Sequence, residues 1–118
     1  MDTSKKYKMG YKVVKRYTLK SAIINFDGQI GTVRYKINEW VKPRKGCGPL
    51  CVFSYNGIDN AKLFAGFSDS IYVCLYEQSE KSKVYTNDKR DVGLDGLPFG
   101  TILASKVKLI RRINKWVV

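Results

Sequence analysis

A chain of 118 residues and 13.5 kDa builds one hydrophobic core and not two, because a domain of this size buries only about two thirds of the surface its unfolded chain exposes. Its 44% hydrophobic and 13% aromatic residues exclude wholesale disorder, and the complete absence of His removes the Ser-His-Asp triad, the Cys-His dyad, His-ligated metals and an imidazole switch near neutral pH. Twenty-two Lys and Arg against ten Asp and Glu leave a net charge of +12, which directs attention to anionic partners.

Residues 1–8 are polar and basic and read as a flexible N-terminal tail. No apolar run follows their lysines, so they do not make a secretory signal, and no stretch approaches the roughly 18 to 20 apolar residues that cross a bilayer. The expectation is a cytoplasmic protein with no membrane partner. Residues 11–19 alternate as a strand: Tyr11, Val13, Tyr17 and Leu19 fall on one side, with Lys15 the exception, and Lys12, Val14, Arg16 and then Lys20 on the other. Residues 22–26 and 30–37 are β-branched or aromatic runs around Asp27-Gly28, a turn pair, and so predict a hairpin.

Trp40-Val41 then leads into residues 42–49, whose prolines, glycines and cations predict a loop, followed by a short buried strand over residues 50–53. Residues 58–65 lie between Gly57 and Gly66 and predict a helix. Asp59 or Asn60 is available to cap its first turn, Gly66 suits a left-handed stop, and Ile58, Ala61, Phe64 and Ala65 share one side. Residues 71–77 are almost continuously apolar and predict a central strand. Residues 78–100 are polar, contain Gly93, Gly96, Pro98 and Gly100, and read as a long loop. The last segment, 101–118, lies between helical and strand periods, and its β-branched content favours a strand. The expected fold is therefore a single α+β domain, 1–118, with a mainly antiparallel sheet of five to seven strands and one short helix, about residues 59–65, packed on it.

Charge is unevenly placed along this plan. Residues 1–20 carry a net +6 and residues 101–118 a net +5, whereas residues 46–80 carry −3. If the first and last strands are neighbours, Lys12, Arg16, Lys20, Lys106, Lys108 and Arg112 lie on one sheet face. Lys42, Arg44 and Lys45 in the loop then offer further contacts. Each Lys or Arg that neutralises a phosphate releases condensed counterions, so such a face predicts salt-dependent binding of a polyanion. Tyr7, Tyr11, Tyr17 and Trp116 are interleaved with these charges, and aromatic rings stack on unpaired bases. Lysines on the solvent face of a sheet also keep it from pairing with other chains, which is the simpler use of the same pattern. There is no helix-turn-helix, zinc or RNP-like signature.

The remaining motifs carry little chemistry. Cys47 and Cys51 are spaced CxxxC, with Cys74 the only other thiol; this is neither a four-ligand zinc set nor a CxxC at a helix start. Lys42, Arg44 and Lys45 are placed to activate Cys47, but no base accompanies it. Cys51 and Cys74 sit on apolar strands and read as small core residues. Gly93, Gly96 and Gly100 lack the Lys-Ser or Lys-Thr and the strand-to-helix context of a phosphate loop. No spacing brings two of Glu39, Glu77, Asp88, Asp91 and Asp95 together as a catalytic pair. No cofactor or metal is expected, and an enzyme is the least favoured class.

The run from Gly48-Pro49-Leu50-Cys51-Val52-Phe53 to Ala61 and Phe64, with Trp40 before it and Ile71-Tyr72-Val73-Cys74 after it, resembles small uncharacterised proteins of bacteria and their phages. The resemblance spans the middle third of the chain, rests on core residues, and implies a phage or mobile-element origin with no catalytic residue to carry over. Two functions are then expected from different classes: a module binding nucleic acid or another polyanion through a basic sheet face, or a protein-binding accessory or inhibitor with no catalytic activity.

Overall fold

The computed structural model describes residues 7–21, 33–85 and 91–113. Its longest strands are β1 (Lys8–Lys15), β4 (Asp69–Gln78) and β7 (Thr101–Ile113), and the buried stretches of β1 and β4 are apolar on both faces because a layer of protein lies on either side of them. The shorter β2 (Trp40–Val41) and β3 (Leu50–Ser54) complete a five-stranded antiparallel sheet in the order β2-β7-β3-β1-β4.

That sheet closes on itself. Strand β1 pairs with β4 from Lys8↔Tyr76 to Lys15↔Asp69, and β4 pairs with β7 from Ile71↔Ile113 to Gln78↔Ala104. Strand β7 pairs with β3 from Thr101↔Phe53 to Ala104↔Leu50, and β3 returns to β1 at Tyr11↔Phe53 and Gly10↔Ser54. Four strands thus form a small barrel, to which β2 adds on the free stretch of β7 at Trp40↔Lys108 and Val41↔Val107. The first and last long strands are not neighbours: β4 separates them on one side and β3 on the other.

Closure divides the apolar residues into two clusters. Val14, Leu50, Val52, Tyr72, Cys74, Tyr76, Ala104, Val107 and Leu109 point inward and fill the barrel together with Tyr35. Tyr11, Val13, Cys51, Phe53, Ile71, Val73 and Leu103 point outward and are covered by Ala61 and Ala65 of α1 (Ile58–Phe64) and its exit, and by Val84 and Leu97. At about 1.5 to 3 kcal/mol for each large apolar side chain buried, both clusters are needed to fold a domain of this size. The helix presents Ile58, Ala61, Phe64 and Ala65 to the barrel as its spacing predicts, but its ends differ from expectation. Gly57 occupies the N-cap without a side-chain bond. Ala65 leaves in extended backbone, and the Gly66 N–H donates to Asp69 Oδ2 at 2.9 Å in place of a left-handed stop.

Three further segments depart from the sequence plan. Strand β1 ends at Lys15, and residues 16–18 turn so that Leu19, at φ 56°, sends the chain back across the barrel mouth. Residues 18–21 and 33–35 form a strap there, held by the bridges Val14↔Ser21 and Lys20↔Arg34 and by Tyr35 N–H donating to Leu19 O at 2.9 Å. The expected strand over 22–26 and the turn at Asp27-Gly28 lie outside the described residues. Residues 78–100, expected as a loop, contain a hairpin of β5 (Lys83–Tyr85) and β6 (Asp91–Gly93), which docks through two hydrogen bonds between Gly48 and Tyr85. Residues 1–6 of the expected basic tail lie outside the described residues, but Tyr7 packs on Trp40 and Lys8 opens β1.

Candidate nucleic-acid interface

The outward face of the barrel has a covered half and an open half. Beyond the reach of α1 and the β5–β6 hairpin, the strand registers put Trp40, Lys108, Leu75 and Met9 in one row across β2, β7, β4 and β1. Lys106 and Glu77 form the adjacent row. Met9 is 50% exposed, and Trp40, Leu75, Lys106 and Lys108 are half-buried, so this is a solvated surface with an apolar floor.

The side chains on it are ordered by one another. The rings of Tyr7 and Trp40 lie 4.8 Å apart, tilted by 39°. Lys106 Nζ sits 5.0 Å from the Tyr7 ring centroid and 4.8 Å from that of Trp40, and donates to Tyr7 Oη at 3.2 Å. Lys108 Nζ lies 5.8 Å from the Trp40 ring. Each such cation–ring contact at a partly exposed site is worth about 0.5 to 1 kcal/mol, enough to orient the ammonium groups but not to bury them. Glu77 is drawn toward β7 by a bulge: the register shifts between Glu77↔Lys106 and Gln78↔Ala104, and Ser105 Oγ donates to Glu77 Oε1 at 2.7 Å. Directly after β2 the chain enters the loop bearing Lys42, Arg44 and Lys45, all exposed, with a tight turn closed by Cys47 N–H donating to Arg44 O at 2.8 Å.

The six cations expected on a single face are not brought together. Lys12 faces the barrel interior and is fully buried; its Nζ donates to Ser21 Oγ at 2.9 Å and to the Cys51 carbonyl, and lies 5.2 Å from the Tyr35 ring. Burial pulls its pKa down to about 8. Arg16 is exposed in the turn after β1, and Lys20 is half-buried in the strap. Lys106 and Lys108 do share the outward face. Arg112 does not, because a second bulge between Val73↔Arg111 and Cys74↔Leu109 shifts the alternation by one residue, so that Arg112 pairs with the inward Tyr72 and Arg111 with the outward Val73. Trp40 and Tyr7 as a ring pair were not legible as a unit. The signal for Trp40 was its place immediately before the cationic loop.

Other candidate groups resolve into structure. Cys51 and Cys74 are buried thiols whose pKa values burial raises, that of Cys74 to about 12, and Cys47 is half-buried at the loop; all three are free. Tyr11 is buried, stacked on Tyr55 at 5.6 Å, while Tyr17 is exposed in the turn. Among the described residues no helix is long and apolar enough to cross a membrane. Comparison with protein-family models, curated proteins and solved structures finds no match, so the surface is read from its own geometry.

Proposed function

We propose that this protein is a small basic accessory module, of the phage or mobile-element kind its core motif resembles, that binds a polyanion in the cytoplasm through the open half of the barrel's outward face. The ligand class is nucleic acid. The observation that carries this reading is the juxtaposition of Lys106 and Lys108 with the half-buried Trp40 and Tyr7 rings, continued by the exposed Lys42, Arg44 and Lys45. Cations meet phosphates, and rings and the apolar floor meet sugar or base. The chemistry is binding alone: nothing in the arrangement requires a bond to be made or broken.

Reversing two charges tests it. In a gel shift at low salt the wild-type chain binds nucleic acid, and the double variant Lys106→Glu, Lys108→Glu binds at least tenfold more weakly. Its plot of log affinity against log salt is shallower by roughly 1.4 to 1.8, since each lost phosphate contact removes about 0.7 to 0.9 of slope. Failure of the wild type to bind any nucleic acid at low salt would remove the proposal.

A second reading has its own observation. Leu63 of α1, Phe67 and Phe99 are strongly exposed, and Gly100 lies against Asn60, one helical turn before Leu63, which places Phe99 near the helix. Exposed apolar side chains near one another are the usual anchors of a protein partner. On this reading the module is an accessory or inhibitor protein, and pull-down of a defined partner that survives nuclease treatment and is lost on Leu63→Ser supports it.

A further inference from the structure

Resting on the polyanion reading, we infer that the ligand of the open face is a single strand, with an unpaired base stacked beside Trp40 and Lys106 and Lys108 on the flanking phosphates. The face contains more apolar and aromatic surface than phosphate contacts use. The cross-strand row runs from Trp40 past Lys108 to Leu75 and Met9, so one cation is embedded in a strip that is otherwise apolar. Over three gaps between strands this strip is about 14 Å long, the span of a few nucleotides.

A duplex keeps its base faces stacked inside and offers this strip sugar, phosphate and groove edges but no flat base face. The strip also lies on the convex outside of a four-stranded barrel, which touches a stiff rod over a short length, whereas a flexible strand follows the curvature. An unstacked base, by contrast, supplies a flat apolar face for the rings.

The arrangement of the rings suits this use. Trp40 is fixed by ladder pairing of its own backbone opposite Lys108, and Tyr7 is fixed by the hydrogen bond from Lys106. The ring pair is tilted by 39°, which leaves it splayed, and Lys106 lies near both centroids. A base arriving beside Trp40 displaces this ammonium toward the adjoining phosphate, so that stacking and charge neutralisation occur in one rearrangement. The exposed cations of residues 42–45 leave the same end of the row and extend the track for the strand on the Trp40 side.

The test compares a dye-labelled oligodeoxythymidylate of about twelve nucleotides with a duplex of equal length, by anisotropy over a salt series, within the range of single-strand sites on small barrels. Wild-type protein is expected to bind the strand about tenfold or more tightly than the duplex at equal salt. Trp40→Ala is expected to lose roughly ten- to hundredfold for the strand, the range of one base stack, with little change for the duplex or in the salt slope; Trp40→Phe, which keeps a ring and guards against a folding defect, retains most of the affinity. Equal affinity for strand and duplex, or strand binding unchanged in Trp40→Ala while Lys106→Glu, Lys108→Glu weakens both, overturns the single-strand inference and leaves the polyanion reading standing. Wild-type protein that binds heparin but neither nucleic acid overturns the single-strand inference and the nucleic-acid reading together. Wild-type protein that binds none of the three at low salt ends both.

Discussion

Replacing Lys12 by methionine stabilises the protein at pH 7 and destabilises it at pH 10, a reversal read from the urea midpoints of the two proteins across that range. Lys12 is fully enclosed in the barrel, and burial, its leading influence, takes the pKa from 10.5 to about 8 against a smaller opposing effect of Cys51 and Cys74. Between these values the unfolded chain binds more protons than the folded one, so the contribution of Lys12 to stability rises with pH from about 8 to 10.5. Below that window the charged lysine costs about 3 kcal/mol relative to its neutral form, taking 1.36 kcal/mol per pH unit. Methionine escapes this cost but forfeits the hydrogen bonds to Ser21 and the Cys51 carbonyl, worth about 1 kcal/mol each. The variant is therefore ahead by about 1 kcal/mol at pH 7 and behind by about 1 to 2 kcal/mol once the amine is neutral.

The groups facing Lys12 act in the other direction. Ser21 and Tyr35 face it from the strap, the Cys51 carbonyl from β3, and Tyr72 and Cys74 from β4, with the outward Cys51 thiol close enough to act on its charge. Burial raises the pKa values of Tyr35, Cys51 and Cys74, so these groups stay protonated in the folded chain while ionising in the unfolded one, and they cost stability above about pH 9 to 10. They are common to both proteins and largely cancel in the difference. A constant offset between wild type and Lys12→Met from pH 7 to 10 would show that the Lys12 proton is not linked to folding.

Gly10→Ala is expected to cost about 2 to 3 kcal/mol, a fall of roughly 10 °C in the thermal midpoint of a domain this size, with no gain from the stiffer unfolded chain large enough to offset it. Gly10, like Tyr11 after it, pairs with both neighbours of β1, facing Ser54 of β3 and Cys74 of β4. A Cβ there would overlap the Phe53 carbonyl oxygen and lie 2.8 Å from the Tyr76 ring. The ring has some freedom to turn; the carbonyl belongs to the adjoining strand and has none without opening the barrel seam. Combining Gly10→Ala with Tyr76→Leu consequently restores only part of the loss. A midpoint within about 2 °C of wild type for the single variant would mean that the seam is looser than described.

The same closure explains which parts of the structure were legible in the sequence. The almost unbroken apolar run of 71–77 announces a strand paired on both sides, which β4 is, and the helical spacing of Ile58, Ala61, Phe64 and Ala65 identifies the face that packs. In an open sheet, where one face is wet, the alternation of β1 places Lys12 toward solvent. In a barrel with a helix outside it, both faces of β1 are dry from Tyr11 to Val14, and the one sign of this in the sequence is Val14 on the same side as Lys12. Nothing local distinguishes a strand that closes a ring from one that ends a sheet, because closure is decided by which distant strands meet.

Register is the other limit. Counting by twos from Lys106 and Lys108 places Arg112 on their face, and a single bulge at the Val73/Cys74 shift moves it to the other. Bulges leave no fixed residue pattern, so an alternation argument holds only as far as the next one. The three-residue strands of the β5–β6 hairpin are too short to show a period at all. The pairing of Tyr7 with Trp40 joins the residue that precedes β1 to one on β2, and only the barrel brings them together.

The most direct test of the account is to map where a polyanion touches the folded chain. Backbone amide shifts in a titration with a short oligodeoxythymidylate should be largest at Met9, Trp40, Leu75, Lys106 and Lys108, spread into residues 42–45, and be small in α1 and around Val84 and Leu97. Shifts concentrated on Leu63, Phe67 and Phe99, or distributed over all exposed lysines without a centre at Trp40, would contradict it.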